Sequence, residues 1–447
     1  MVDTIVALST PFGLSAIAKI RLSGPATKLI IQNHLSKKNP VSHHAFLSDY
    51  KSTSGKIIDR VIALFFDGEH SYTGEDSLEI DCHGNPLIIQ SILEDLQGGE
   101  CRLAEGGEFT KRAYLNHKMD LCQAEAVLDL IHADNENALE ISQKQLQGVL
   151  SEKIFHLSNR LLFLLAEIEA HIDFVDEDLD FDGGISEKLD EILREIDEII
   201  GNHKFRKTLL NGIPIAIIGP PNGGKSSLFN ALLQTERALV SHTPGTTRDF
   251  IRERIILDGL PIHIIDTAGL RTTDDPVEQL GIHRTIENIA IADLCLLVID
   301  QNNPQPIGTE IISQLQKKQC ILVLNKNDLP QTPLQFPPEL SHFPRVSISA
   351  KRGTGMDLLR TTISEKIQKN ALFPQDTAIV INERHREIFQ NVRTLLGSAR
   401  ESLVGEQSYE LCASDLKFAM EALAYITGKH SSEAILEKIF SQFCIGK

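Results

Sequence analysis

Gly219-Pro220-Pro221-Asn222-Gly223-Gly224-Lys225-Ser226 fits the pattern G-x-x-x-x-G-K-[ST]. A loop of this composition turns its backbone N–H groups inward around a di- or triphosphate. Lys225 can reach the outer phosphates, and the Ser226 hydroxyl can be offered to Mg²⁺. Such a loop needs a strand before it and a helix after it. Ile215-Ala216-Ile217-Ile218 reads as a buried parallel strand. Ser227 to Leu233 reads as a helix whose N-terminus favours anions. The plain alternative is a glycine-rich strand-to-helix turn without a ligand, and the motifs downstream argue against it.

Ser241-His242-Thr243-Pro244-Gly245-Thr246-Thr247-Arg248-Asp249 is a polar, turn-rich stretch that can supply a second hydroxyl to the metal. A strand with outward charges follows (Ile251, Glu253, Ile255, Leu257), Asp258-Gly259 turns it back, and Ile262 to Ile265 returns. The return strand ends in Asp266-Thr267-Ala268-Gly269. An Asp there can hold Mg²⁺ through water, and the Gly269 amide can meet a γ-phosphate. Leu294 to Ile299 reads as a structural strand, and Ile321 to Leu324 delivers Asn325-Lys326-Asn327-Asp328. Asp328 can accept two hydrogen bonds from guanine N1–H and its 2-amino group. Adenine lacks that donor pair, so a buried carboxylate would go unpaired against it. Ser349-Ala350-Lys351 can contact the base oxygen. In this order, the elements at 219–226, 246–247, 266–269 and 325–328 imply guanine-nucleotide binding.

One departure from the Ras-type pattern carries mechanism. Leu270 follows Asp266-Thr267-Ala268-Gly269, and leucine cannot orient an attacking water. No arginine finger is evident. Asn222 could help hold a monovalent cation beside the phosphates, neutralising charge where an arginine otherwise would. Glu278 is a candidate for positioning water, and equally a helix N-terminal acid facing the dipole.

The elements around this centre must come from a chain of 447 residues, enough for two to four domains. Its 42% hydrophobic and 23% charged residues are those of an ordinary soluble protein. No apolar run reaches membrane-spanning length and no charged-then-apolar leader opens the chain, so the expectation is a cytoplasmic protein without a membrane partner. The seven cysteines are scattered, with no C-x-x-C and no His/Cys ligand spacing, so neither a disulfide framework nor a zinc site is suggested. A net charge of −17 matches a polyanion poorly, so any nucleic acid must meet a local basic patch or one on a partner.

Asp3 to about Lys118 reads as a mixed α+β domain for binding or dimerisation. Ile17 to Leu22 alternates as a strand with Arg21 on the face opposite Ile20 and Leu22. Val61 to Phe66 is another strand. Leu78 to Ile80 carries Glu79 toward an expected turn at Cys82-His83-Gly84-Asn85. Gly106 to Asn116 mixes glycine, aromatic and basic residues, and reads either as a loop leading into a helix from Leu121 or as a site. From Leu121 to about Lys207 the period becomes helical, with Ile154, Leu157, Leu161, Leu164, Leu165, Ile168 and Ile172 on one face. The acidic run Asp173 to Asp178 lacks the spaced ligands of a calcium loop and reads as a solvated helix break. A second helix, Ile185 to Ile200, leads to the basic patch His203 to Lys207. Residues 376–447 return to helices and complete the helical domain, making the nucleotide domain an insertion. Cys444 can be a nucleophile or a buried apolar residue, and spacing favours burial.

Taken together, these residues resemble the MnmE/TrmE family of tRNA modification GTPases over the whole chain. The resemblance rests on Asp3-Thr4-Ile5-Val6-Ala7, Thr73-Gly74-Glu75-Asp76, Gly107-Glu108-Phe109, Arg112-Ala113, Leu115-Asn116, Gly245 to Asp249, and Phe443-Cys444-Ile445-Gly446-Lys447. Mild departures are Gly223 where alanine is common, and Cys82-His83-Gly84-Asn85 where a second glycine is usual.

The resemblance implies a multidomain α/β plus α chain. An N-terminal α+β folate-binding and dimerisation domain spans 1–118. A helical domain at 119–207 and 373–447 flanks an inserted Ras-like P-loop GTPase domain at 208–372 with a mostly parallel sheet. It implies a homodimer that works with a flavin-binding MnmG/GidA-type partner. Together they add an aminomethyl-type (carboxymethylaminomethyl) group at C5 of the wobble uridine of certain tRNAs. K⁺-stimulated pairing of the GTPase domains would drive hydrolysis.

The nucleotide contacts it implies are Asn222, Gly223, Gly224, Lys225, Ser226, Ser227, Ser241, Thr243, Thr246, Thr247, Asp266, Thr267, Ala268, Gly269, Asn325, Lys326, Asp328, Ser349, Ala350 and Lys351. Ser226 and Thr247 match the Mg²⁺ ligands. Asn222, Ser241, Thr243 and Thr246 match the K⁺ loop. Glu278 matches the residue that positions water through a bridging water, and Cys444 one that modification needs. Arg21, Glu79, Lys118 and Lys447 match the site for 5,10-methylene- or 5-formyl-tetrahydrofolate. A regulatory GTPase switch in ribosome or RNA assembly is the alternative. It would have no use for the N-terminal domain or the terminal cysteine motif.

Overall fold

Burial that alternates along its four longest strands lays down the first sheet. Its strands are β1 (Ile5–Leu8), β2 (Ser15–Ser23), β3 (Ala45–Lys51), β4 (Ile57–Phe66), β5 (Ser77–Gly84) and β6 (Arg102–Leu103). They run in the order β3-β4-β5-β2-β1-β6. Neighbours are antiparallel except β1 and β6. Ile20, Leu22, Val61, Ala63, Leu78 and Ile80 pack in one core with Ile30 and Ile31 of α1 (Thr27–His34) and with Ile89, Ile92 and Leu96 of α2 (Pro86–Gln97). The alternation puts Lys19, Arg21, Glu79 and Asp81 on the other face.

In this computed structural model the described residues are 3–99, 101–133, 135–173, 184–235, 252–258, 260–266, 278–330, 336–370, 379–404, 408–429 and 432–446. They divide into two compact units: Met1–Ile131, Gln143–Arg194 and Glu387–Lys447 in one, His132–Ser142 and Glu195–Arg386 in the other.

Two sequence expectations in the first domain need correction. Cys82, His83 and Gly84 form no turn; they extend β5, paired with Ala18, Ile17 and Ser15. A Cβ on Gly84 would lie 2.1 Å from the Ser15 hydroxyl oxygen, so glycine lets the strand run on. The chain turns at Asn85, whose side chain caps α2 by accepting from the Leu87 amide at 2.9 Å. The stretch at 106–116 is not a loop but helix α3 (Glu108–Leu115), entered through Gly107 at φ 69°.

The helical pattern yields α4 (Leu121–His132), α5 (Glu136–Leu146), α6 (Val149–Asp173) and α7 (Ile185–Asn211). The predicted apolar face of α6 is buried from Ile154 to Ile168. α6 reaches Asp173, and the rest of the acidic run lies outside the described residues. α7 does not stop at Ile200 but runs through the basic patch. No proline interrupts it, and Gly212, at φ 73°, ends it in the left-handed conformation that favours glycine.

The second sheet contains β7 (Ile213–Ile218), β8 (Arg252–Leu257), β9 (Leu260–Asp266), β10 (Leu294–Asp300), β11 (Gln319–Asn325) and β12 (Arg345–Ser347), ordered β12-β11-β10-β7-β9-β8. All pairings are parallel except the β8–β9 hairpin. Both faces are covered, which is why β7, β10 and β11 are continuous apolar runs. One core holds α8 (Lys225–Thr235) and α11 (Met356–Asn370); the other holds α9 (Glu278–Ile291) and α10 (Thr309–Leu315). The chain closes with α12 (Glu383–Val404), α13 (Tyr409–Thr427), which packs on α6, and α14 (Glu433–Phe440).

Candidate functional site

The C-terminal ends of the parallel strands meet on one edge of the second sheet, the position where open α/β sheets bind ligands. β7 ends at Ile218, and the phosphate loop follows it. Ile217 stands in register with Asp266, the last residue of β9. Asp300 ends β10 in register with Asn325, which ends β11.

The loop's backbone is tightly specified. Gly219 (φ 142°) lies against β10 so closely that a Cβ would meet the Val298 carbonyl oxygen at 2.3 Å. Asn222 adopts φ 58°, uncommon outside glycine. A Cβ on Gly224 would meet the Asn325 amide nitrogen at 2.1 Å. The Lys225 ammonium bends over the loop, donating to the carbonyls of Gly219 at 2.9 Å and Pro220 at 2.8 Å. Gly223 is buried, Gly224 and Ser226 half-buried, and Ser227 exposed.

Asn325, 2% exposed, is the hub of the site. Its Nδ2 donates to the Gly223 carbonyl at 3.0 Å and its Oδ1 accepts from the Ala350 amide at 3.0 Å. One side chain therefore ties the phosphate loop to the Ser349-Ala350-Lys351 turn. Within the Ser349-Ala350-Lys351 stretch expected at the base oxygen, the Ala350 amide is spent on this clamp. Lys326, at φ 66°, pairs with Asp300 at 2.6 Å. Burial would raise the Asp300 carboxyl, but the Lys326 ammonium and the amides of Asn302 and Asn303 outweigh it and hold it below the usual range. A hydrogen bond from Ser349 first, then the charges of Arg352 and Lys351, lowers Asp328. The Arg352 Nε lies 3.4 Å from its carboxylate. A carboxylate kept ionised here can read a pair of N–H donors.

Asp266 closes β9 and Glu278 opens α9, and their side chains lie outside the described residues. So do Ser241, Thr243, Thr246, Thr247, Thr267, Ala268, Gly269 and Lys447. Sequence reasoning missed Asp300, Gln301 and Arg352. The readable signal was an acid ending an apolar strand. Gln301 is 5% exposed and donates to Leu324 and Ser347, bracing the strand ends.

On the first sheet Arg21 and Glu79 are cross-strand partners. The Arg21 Nε and Nη2 both donate to Glu79 Oε1, at 3.0 and 2.8 Å, and Lys19 adds 2.6 Å to the other oxygen. Burial pushes Glu79 up, but Lys19 and Arg21 outweigh it and keep it ionised. The Arg21 guanidinium lies 5.9 Å from the Phe109 ring centre. Tyr72 bonds Thr110 at 3.0 Å, and burial raises its phenol. Lys118 is not part of this pair; it is exposed and donates to the Glu69 carbonyl at 2.8 Å.

Residues scattered through the family-like motifs gather into one ion network. Arg112, 9% exposed, donates to Asp3 (2.8 Å), Glu75 (3.1 Å) and Glu108 (3.0 Å). Ser23 adds a 2.7 Å bond to Glu75. The C-terminal motif docks beside it. Ile445 bridges Gly106, the Gly107 amide reaches the Cys444 carbonyl at 3.4 Å, and Ser9 donates to the Gly446 carbonyl at 3.3 Å. Phe443 is buried against Phe440 while Cys444 is exposed, so the burial favoured by spacing is corrected. The backbone of this segment, rather than the thiol, makes the contacts.

A glycine loop cradled by β7 and α8, an acid at the end of β9 and an Asn-Lys-x-Asp motif beside Ser-Ala-Lys define a P-loop GTPase. Profiles described as GTP-binding protein TrmE N-terminus and MnmE helical domain match residues 4–118 and 121–444. The tRNA modification GTPase MnmE of Opitutus terrae is 41% identical over 448 residues, covering 100% of this chain and 99% of that protein. That of Natranaerobius thermophilus is 40% identical over 457 residues with the same coverage. The chain belongs to the MnmE/TrmE family of tRNA modification GTPases.

Proposed function

We propose that this GTPase couples GTP hydrolysis to modification of tRNA, acting with a flavin-binding MnmG/GidA-type partner at C5 of the wobble uridine. The clamp of Asn325 between phosphate loop and base loop carries the reading, because it makes both halves of a guanine nucleotide site one rigid object. Lys225 neutralises the outer phosphates, and the Ser226 hydroxyl, with Thr247, is suited to Mg²⁺. Asn222, held at φ 58° on the exposed rim of the loop, is the residue that would begin a K⁺ site with Ser241, Thr243 and Thr246. The cation would take the place of the missing arginine, and Glu278 would orient water where Leu270 cannot.

On the first domain, Arg21 and Glu79 together offer a donor and an ionised acceptor on a partly solvated sheet face. That pairing suits a one-carbon tetrahydrofolate, with Lys118 and Lys447 as outlying cations. Cys444 stands exposed on the C-terminal segment that docks against this domain, at the position of a residue that modification needs. The working form is a homodimer whose GTPase domains pair in GTP and K⁺. No described helix is long and apolar enough to cross a membrane. Mass spectrometry of tRNA nucleosides from a strain lacking the gene tests the reading: loss of the wobble-uridine modification is expected, and an unchanged nucleoside profile would overturn it.

A further inference from the structure

A cleft of about 630 Å³ lies within the first unit, lined by none of the residues named for the two sites above. The end of α3 and the turn after it form one wall, the first turns of α6 a second, and the end of α13 a third. Its construction is that of a binding site rather than a packing gap. Tyr114 is fixed as a wall because its hydroxyl donates to the Gly428 carbonyl at 2.6 Å. Gly428 ends α13 at φ 91°, and a Cβ there would strike the Tyr114 oxygen at 2.5 Å. Phe155, 60% exposed, stands at the same cleft. Ser151 Oγ is shut off from solvent with no hydrogen-bond partner, although a helical serine commonly satisfies itself on a carbonyl one turn back. Lys429 is exposed among the lining residues, a local cation in a chain of net charge −17.

Aromatic faces and a cation beside them are the parts that recognise an unstacked base in single-stranded RNA. The volume admits a base with its ribose. We infer that this cleft takes a nucleobase from a tRNA loop. The base stacks on Phe155 or Tyr114, and Lys429, across a cleft that Asp120 also lines, meets the adjoining phosphate. The inference rests on tRNA being the substrate, as proposed above. It also answers the charge problem, because stacking does not depend on a broad basic surface.

The test is light-induced crosslinking of the full-length protein to an RNA stem-loop carrying 5-iodouridine in its loop, with peptide mapping, alongside titration of the same RNA. Phe155→Ala removes an exposed ring and leaves the core intact. Ser151→Leu fills the cleft, and its thermal midpoint and GTP hydrolysis report whether the fold holds. Crosslinks to the peptides bearing Tyr114 or Phe155, with about tenfold or greater loss of RNA affinity in Phe155→Ala and unchanged GTP hydrolysis, bear the inference out. RNA that binds the Phe155→Ala protein as well as the parent and crosslinks elsewhere overturns the cleft but leaves tRNA as the substrate. RNA that fails to bind the parent protein at low salt, with or without GTP, overturns both.

Discussion

At the scale of single residues, the GTP site depends on side chains whose work is structural as much as ligand-directed. Asn325 was legible as part of the Asn325-Lys326-Asn327-Asp328 motif, but its clamp was not, because it joins Gly223 and Ala350 across the sheet edge. Asn325→Ala leaves the Gly223 carbonyl and the Ala350 amide without their partner, at a cost of about 1–3 kcal/mol for each buried group left unsatisfied. A lowered unfolding midpoint together with weakened binding of GTP and GDP alike is expected, measured by calorimetry and nucleotide titration. Asp328→Asn should act differently. It exchanges an acceptor pair for a mixed donor and acceptor, so preference should move from guanine toward xanthine nucleotides with little change in stability; unaltered GTP selectivity would remove Asp328 from base reading. Asp300 and Arg352 escaped the sequence reading because an ion partner supplied by another loop leaves no local spacing to detect.

At the scale of elements, periodicity identified the buried strands and the long helices well, and failed where glycine decides. The Cys82-His83-Gly84 stretch contains turn-type residues yet extends β5, because Gly84 makes room for Ser15. The 106–116 stretch looked like a loop because glycines open it, but they provide the left-handed entry to α3 and the close approach of the C-terminal segment. That segment depends on backbone geometry. Gly446 sits at φ 92°, and a Cβ there would fall 2.5 Å from the Leu8 carbonyl oxygen. Gly446→Ala is therefore expected to release residues 443–446 from their seat. Hydrogen exchange at the Gly107 amide should then speed up while GTP hydrolysis holds; unchanged protection at Gly107 would show that the contact tolerates the substitution.

At the scale of the molecule, the motifs that looked separate in sequence turn out to be one charged assembly on the first domain. Asp3 is lowered first by its bond from Arg102, then by Arg112. Burial works to raise Glu108, but Arg102, the Glu105 amide and Arg112 outweigh it, so its carboxyl also lies below the usual range. Carboxyls depressed in the folded state stabilise it fully above the unfolded pKa, near 4, and lose that contribution as pH falls through their lowered values. Arg112→Ala strips a buried cation from three carboxylates and should cost about 3–5 kcal/mol at neutral pH. It should also flatten the acid limb of the stability curve, readable as thermal midpoint against pH between about 5 and 3. An acid limb as steep as that of the parent would place the depressed carboxyls elsewhere. The proposed cation-dependent pairing of GTPase domains belongs to this scale as well. Replacing K⁺ by Na⁺ should slow hydrolysis and leave the protein unpaired in light scattering with a GTP analogue, and equal rates in both salts would exclude the alkali-metal role. None of this assembly was visible in the net charge, which averages over the surface and hides a buried cation among acids.

The seat that Gly106, Gly107 and Ser9 offer to Ile445 and Gly446 has a consequence for biosynthesis. Those partners are separated by more than 300 residues, including an entire nucleotide-binding unit, so the contact becomes available only after that unit has left the ribosome. The first domain is thus made early and sealed late, and a chain broken off anywhere before residue 440 carries an unsealed edge that quality-control proteases can recognise.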